Sequence, residues 1–162
     1  VAQEVSGARA ASADLASVAG AALRDDEVSP DALRDLGADP TAVLVAWDAA
    51  RARAYARGRA GALARLYLPG SVAGHRDVRL LADYAARGLR VRGMRMEIAR
   101  VEVLRDRSQT RLLRVTDRLV GSRAVRTDGT SYPLPRDRPS TRTVRLVHHD
   151  GAWRVASVGP AG

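Results

Sequence analysis

The sequence predicts an α+β fold, three helices packed on a curved, bulged four-stranded antiparallel sheet, and three observations carry it. Apolar residues recur at steps of three and four as far as residue 88, then at steps of two from Val91 onward. Helix-starting and helix-stopping residues punctuate the first half, and tight-turn residues punctuate the second. The alternation slips by one residue near positions 98–100, as a β-bulge requires.

Taken in order, Val1, Val5, Ala8, Ala11, Leu15, Val18 and Ala22 form one helical stripe rich in Ala, so this leader buries little apolar area. Asp25, Asp26 and Glu27 break the stripe. Ser29-Pro30-Asp31 reads as an N-cap and first turn of a short helix ending near Gly37. Asp39-Pro40 starts a longer helix with Val43, Leu44, Trp47, Ala50, Ala54 and Tyr55 on one stripe, Arg57 in its last turn and Gly58 as terminator. Leu63, Leu66 and Tyr67 mark a second body helix, stopped by Pro69-Gly70. After a loop over residues 69–76, a third carries Val78, Leu81, Ala82 and Ala85 and closes at Arg87-Gly88. Strands are predicted over residues 91–104, 110–125, 140–149 and 152–158, with turns at 106–109 and at Asp150-Gly151.

Composition narrows the function classes. All 27 basic residues are Arg, and Lys, Asn, Phe and Cys are absent, a pattern that GC-rich codons impose, so the net charge of +9 overstates any functional basicity. The absence of Cys excludes disulfides, thiol catalysis and Cys-ligated metal. The longest stretches without Arg, Asp or Glu are residues 15–23 and 66–75, short of the ~20 residues a membrane span needs. Charge divides the chain at Pro40. Residues 1–40 carry three Arg against eight acids, net −5; residues 41–162 carry 24 Arg against ten acids, net +14. The division suggests an acidic helical arm over residues 1–39 ahead of a basic domain over residues 40–162.

The run Ala46-Trp47-Asp48-Ala49-Ala50-Arg51-Ala52-Arg53-Ala54-Tyr55-Ala56-Arg57-Gly58, then Leu63-Ala64-Arg65-Leu66-Tyr67, and the terminal Asp150-Gly151-Ala152-Trp153-Arg154-Val155 resemble the NTF2-like (cystatin-like cone) superfamily over residues 41–158. The resemblance implies a cone of sheet around three helices. It also implies one of two roles. The first is a non-catalytic interaction or scaffold domain of a secreted or membrane-anchored protein of high-GC bacteria. The second is a small-molecule-binding enzyme of ketosteroid-isomerase or polyketide-cyclase type. Such enzymes often place an acidic base on a short strand pair between the second and third helices, and none is evident here.

For the enzyme role, Leu113, Val115, Asp117 and Leu119 share the inward parity of the second strand, so Asp117 is a buried carboxylate in need of a partner. With the following hairpin centred near Tyr132-Pro133, Asp117 falls opposite His148. The pair would then serve as a general base, with Tyr55 or Tyr84 donating to an enolate oxygen. The plainer expectation is that Asp117 binds an amide or an Arg and that His148 ends a strand. His75, His148 and His149 show no metal-ligand spacing, and no metal or cofactor is expected.

For the interaction role, residues 127–139 form a proline-stiffened loop presenting Tyr132, Leu134, Arg136 and Arg138. Arg114, Arg118, Arg145 and Arg154 share the outward parity of the sheet with Ala156 and Val158. That face suits a protein partner or a second copy, or an anionic surface. Nucleic acid is disfavoured, because the chain has six aromatic residues and no recognition motif. A small hydrophobic ligand belongs to the enzyme role. The expected location is outside the cytoplasm.

Overall fold

In the computed structural model, which describes residues 30–161, the chain passes from helix to sheet at Gly88, whose φ of 68° ends the last helix. The leader stripe and Ser29 lie outside the described residues. A 3-10 turn spans Pro30–Leu33, followed by α1 (Pro40–Arg57), α2 (Ala60–Ala64) and α3 (Val72–Ala86). Asp39 caps α1 as predicted, its Oδ1 accepting from the amides of Thr41 and Ala42, and Gly58 closes it in the left-handed region at φ 63°. No described helix is long and apolar enough to cross a membrane.

Two helices begin or end elsewhere than the periodicity indicated. α2 stops at Ala64, and Tyr67 instead forms a parallel bridge to Val155, with Val155 N donating to the Leu66 carbonyl and Leu68 N to the Val155 carbonyl. α3 starts at Val72 rather than after residue 76, because the Ser71 hydroxyl accepts from Gly74 N and caps it. His75 therefore lies in a helix.

The strands are β1 (Leu89–Arg92), β2 (Arg95–Arg107), β3 (Thr110–Val120), β4 (Arg123–Arg126), β5 (Ser131–Pro133), β6 (Ser140–His149) and β7 (Ala152–Pro160). They form an antiparallel four-stranded sheet, β2-β3-β6-β7, and a three-stranded one, β1-β4-β5. The expected continuous strands over 91–104 and 110–125 are each broken once, at glycines that face each other. Gly93 and Gly121 both have positive φ, 68° and 72°, and a Cβ on Gly93 would lie 2.9 Å from the Gly121 carbonyl oxygen. The ribbon creases there, and its far part becomes the small sheet. The predicted bulge is present, a register shift between Ile98 and Arg100, and a second follows between Val103 and Arg105.

The core lies between the helices and the inner face of the larger sheet. Trp153, Tyr55, Leu63, Leu81, Leu113, Leu146 and Val115 fill it, each under 2% exposed. A bulge in β7 opposite Arg145–Leu146 reverses its parity beyond Val155. Ala156 is therefore buried, and Val158 stands opposite Val144 on the inner row, not on the outward face expected of both.

Candidate functional site

Three polar clusters are built into the described fold. The first is centred on Asp77 of α3. Arg51 of α1 donates through Nε to Asp77 Oδ2 (2.7 Å) and through Nη2 to Oδ1 (2.6 Å), the two-pronged geometry guanidinium and carboxylate share. The Tyr55 hydroxyl donates to Oδ1 at 2.6 Å and the Tyr67 hydroxyl to Oδ2 at 2.8 Å. Aromatic rings enclose the group: the Arg51 guanidinium lies over Tyr55 (5.2 Å) and Trp47 (5.9 Å), and Trp47 meets Tyr67 edge-on. Gly74 makes room, since a Cβ there would lie 2.7 Å from Tyr67 Cβ. Burial by itself would raise the Asp77 carboxyl, but the hydrogen bonds and charge of Arg51, joined by both tyrosines, hold it below the usual carboxylate range. Burial and the bonded Asp77 push both tyrosine hydroxyls well above the ordinary tyrosine range.

The second cluster joins Asp48 of α1, Asp117 of β3 and Arg142 of β6. Asp117 is 5% exposed and paired with Arg142 Nη2 at 2.5 Å. Asp48 Oδ2 accepts from Met96 N at 3.1 Å, whereas its Oδ1 and Arg142 Nε are buried with no partner. Burial raises the Asp48 carboxyl, and the nearby Asp117 charge adds to the rise, against the lowering effects of the Met96 bond, Arg51 and Arg142.

The third pins the segment before α1 across one end of the larger sheet. Arg111 Nη1 and Nη2 donate to the carbonyls of Ala38 (2.6 Å) and Leu36 (3.2 Å), Trp153 Nε1 donates to the carbonyl of Asp35 (2.9 Å), and His148 Nε2 lies 3.3 Å from that of Arg34. Arg111 also stacks on the Trp153 ring at 4.3 Å and pairs with Asp106. A shallow open depression beside it is lined by Leu36, Gly37, Asp106, Arg107, Ser108 and Arg111.

Against the sequence expectations, Asp117 is inward and buried as read, but it does not face His148. The register sets it opposite Ser140, while His148 pairs with Trp153 at the far end of β6. The hairpin turns at Asp128-Gly129, not at Tyr132-Pro133: Asp128 Oδ1 accepts from Thr130 N, and Gly129 takes φ 87°. Tyr55 is committed to Asp77, and Tyr84 is half-buried with Arg87 over its ring. His149 pairs with Asp150.

Of the expected contact residues, Tyr132, Arg136, Arg138 and Arg145 are exposed, whereas Leu134 packs against the core. The loop is partly structured, since β5 pairs with β4 at three rungs. On the outward face, Arg118 bonds Glu97 and Arg114 bonds Glu102 across the β2–β3 ladder, so half of the supposed cationic face is neutralised by its own sheet. Arg154 likewise reaches Asp150.

Sequence reasoning missed the Asp77 cluster. Its trace was Arg51, a charged residue one turn before Tyr55 on the apolar side of α1; Asp48, one turn after Leu44, was the like trace of the second cluster.

No protein-family profile and no curated protein matches this chain. Among solved structures, Aln2 from a Streptomyces species is 14% identical, with a TM-score of 0.49 over 75% of this chain and 90% of its own. The intermembrane space region of the chloroplast protein ARC6 is 14% identical, with a TM-score of 0.48 over 71% and 89%. A cystatin-like-fold protein from Caulobacter vibrioides is 18% identical, with a TM-score of 0.43 over 73% and 85%. The order of elements, and the bulged antiparallel sheet packed on three helices, are those that the NTF2-like, or cystatin-like, resemblance implies.

Proposed function

We propose that the chain is a non-catalytic interaction domain on an NTF2-like fold, working outside the cytoplasm. The observation that carries this reading is the commitment of the two groups an enzyme would use, Tyr55 and Asp117, to other side chains. The Tyr55 hydroxyl is spent on Asp77 and the Asp117 carboxylate on Arg142, while the side chains between them fill the cone. Contact then falls to the exposed end of the small sheet, where Tyr132 is 48% exposed under the Arg126 guanidinium and Arg136 and Arg138 follow. The location rests on the resemblance alone. A photo-crosslinking side chain in place of Tyr132, in cells that naturally make the protein, should give a discrete adduct that Arg136→Ala with Arg138→Ala abolishes. The same group in place of Arg100, exposed on β2, should give none.

The second reading is an isomerase- or cyclase-like enzyme with Asp117 as base. One observation favours it: the unpartnered Asp48 oxygen lies within electrostatic reach of Asp117 and Arg142. Binding of a steroid or naphthol that Asp117→Asn abolishes, with no adduct at position 132, replaces the first reading with the second.

A further inference from the structure

On the β2–β3 ladder three arginines meet a carboxylate directly across, Arg118 with Glu97, Arg114 with Glu102 and Arg111 with Asp106, and the other four, Arg95, Arg100, Arg105 and Arg107, stand opposite uncharged residues. On the small sheet, Arg92 of β1 stands directly opposite Arg123 of β4, both exposed, and Pro133 completes the row. Directly opposed like charges destabilise a sheet. Arg123 donates only to the neutral Ser131 hydroxyl, at 2.7 and 3.3 Å, and no carboxylate among the described residues forms an ion pair with either arginine. The loop that follows runs back along the β3–β4 junction, Leu134 N donating to the Ser122 carbonyl and Asp137 N to that of Leu119, and carries the exposed Arg136 and Arg138 with Asp137 as the one acid between them.

We infer that the Arg92–Arg123 rung, with Arg136 and Arg138 on the loop that follows, docks an acidic segment of a partner protein, whose carboxylates take the place across the rung that Glu97 and Glu102 hold on the larger sheet. The inference deepens the interaction reading above and rests on it. Guanidinium forks pair with carboxylates two-pronged, so a segment with alternate acids matches two neighbouring arginines. A lipid surface fits less well. The outer rows hold Pro133, Val125 and Ser131, with no large exposed apolar side chain to enter a bilayer, and Tyr132 lies on the other face opposite Ala124. The chain's own Asp35 and Asp39 are held at the start of α1, ~27 Å of helix away from Gly58, where the Arg90 side chain of β1 rests.

The test is fluorescence anisotropy of a labelled decapeptide alternating Glu and Thr, titrated with the full chain. Arg92→Gln with Arg123→Gln should weaken binding at least tenfold, and the equal charge loss Arg100→Gln with Arg145→Gln less than twofold. Equal weakening by both pairs means net charge alone and overturns the proposal. So does rung-dependent binding to vesicles containing 30% phosphatidylserine that is tighter than binding to the peptide. So does a tenfold gain on Asp25→Asn, Asp26→Asn and Glu27→Gln, which gives the surface to the chain's own leader. Arg92→Glu should raise the melting temperature at low salt and abolish peptide binding; an unchanged melting temperature refutes the repulsion on which the proposal stands. If the crosslink at position 132 persists while the peptide fails to bind, the interaction role stands and the acidic partner falls.

Discussion

Arg51 and Asp77, 26 residues apart on α1 and α3, meet through two hydrogen bonds of 2.7 and 2.6 Å, and the same carboxylate takes the hydroxyls of Tyr55 and Tyr67. Arg51 and Tyr55 come from α1 and Asp77 from α3, while Tyr67 comes from the segment bridged to Val155 of β7, so the cluster ties α1 and α3 to each other and to the larger sheet. Its interaction energy is large and its net contribution modest, because two charges left water to form it.

Removing one partner should therefore cost more than removing both. Asp77→Leu is expected to lose about 3–5 kcal/mol by urea unfolding, since it strands a buried guanidinium and two hydroxyls. Arg51→Met with Asp77→Leu should lose less than Asp77→Leu alone. A double variant at least as damaging as the single one rules this account out.

Acid should reveal two opposed carboxylates. Asp77 titrates lower in the folded chain than the ordinary 3.8, so its contribution is present above that value and lost as pH falls through its folded value. Asp48 titrates higher than 3.8, so its contribution is full below 3.8 and declines as pH rises through its folded value. Asp48→Asn keeps the acceptor for Met96 N, and it should flatten the decline above pH 4 in a series of melting temperatures. An unchanged pH profile would show that Asp48 is ionised as freely as in the unfolded chain.

The paired glycines are expected to respond unequally. Gly93→Ala adds a Cβ at 2.9 Å from the Gly121 carbonyl on top of a positive φ, and should cost about 2–3 kcal/mol. Gly121→Ala meets the Gly93 carbonyl at an ordinary 3.7 Å and bears the backbone cost only, about 1 kcal/mol. Urea midpoints decide it, and equal losses would remove steric contact as the cause.

Arg111→Met should loosen residues 36–38, while Trp153 and His148 still hold Asp35 and Arg34, at a cost of about 2–3 kcal/mol for two lost carbonyl bonds and the ion pair to Asp106. Hydrogen exchange along this segment would accelerate. Arg111→Lys should restore little, because a point charge cannot span two carbonyls and a carboxylate. Full rescue by Lys would reduce Arg111 to a charge.

How much was legible follows from the range of each signal. The bounds of α1 were readable because Asp39 and Gly58 act within one turn. The bulge near Ile98 and the Asp150-Gly151 turn, with φ of 48° and 72°, were readable for the same reason. That Asp117 would bind an Arg was readable from its inward parity, but its place opposite Ser140 was not, because three prolines at 133–139 outweighed Asp128-Gly129 in placing the turn, and a misplaced turn shifts every rung beyond it. The crease at Gly93 and Gly121 depends on two residues meeting across a ribbon, and alternation along one strand carries no trace of that meeting. The meeting of Arg51 and Asp77 was hidden by the same distance, since the place of Arg51 on the apolar side of α1 asks for a partner without naming it.

The segment over residues 34–38 has a mechanical consequence. Four of its carbonyls are gripped by side chains from three strands, Arg111, His148 and Trp153, immediately before the Asp39 cap of α1. A pull on the chain upstream of Pro30 would be shared among those anchors before it could unwind α1. Force would then reach the body through the larger sheet, and the helix would be spared until the grip gave way.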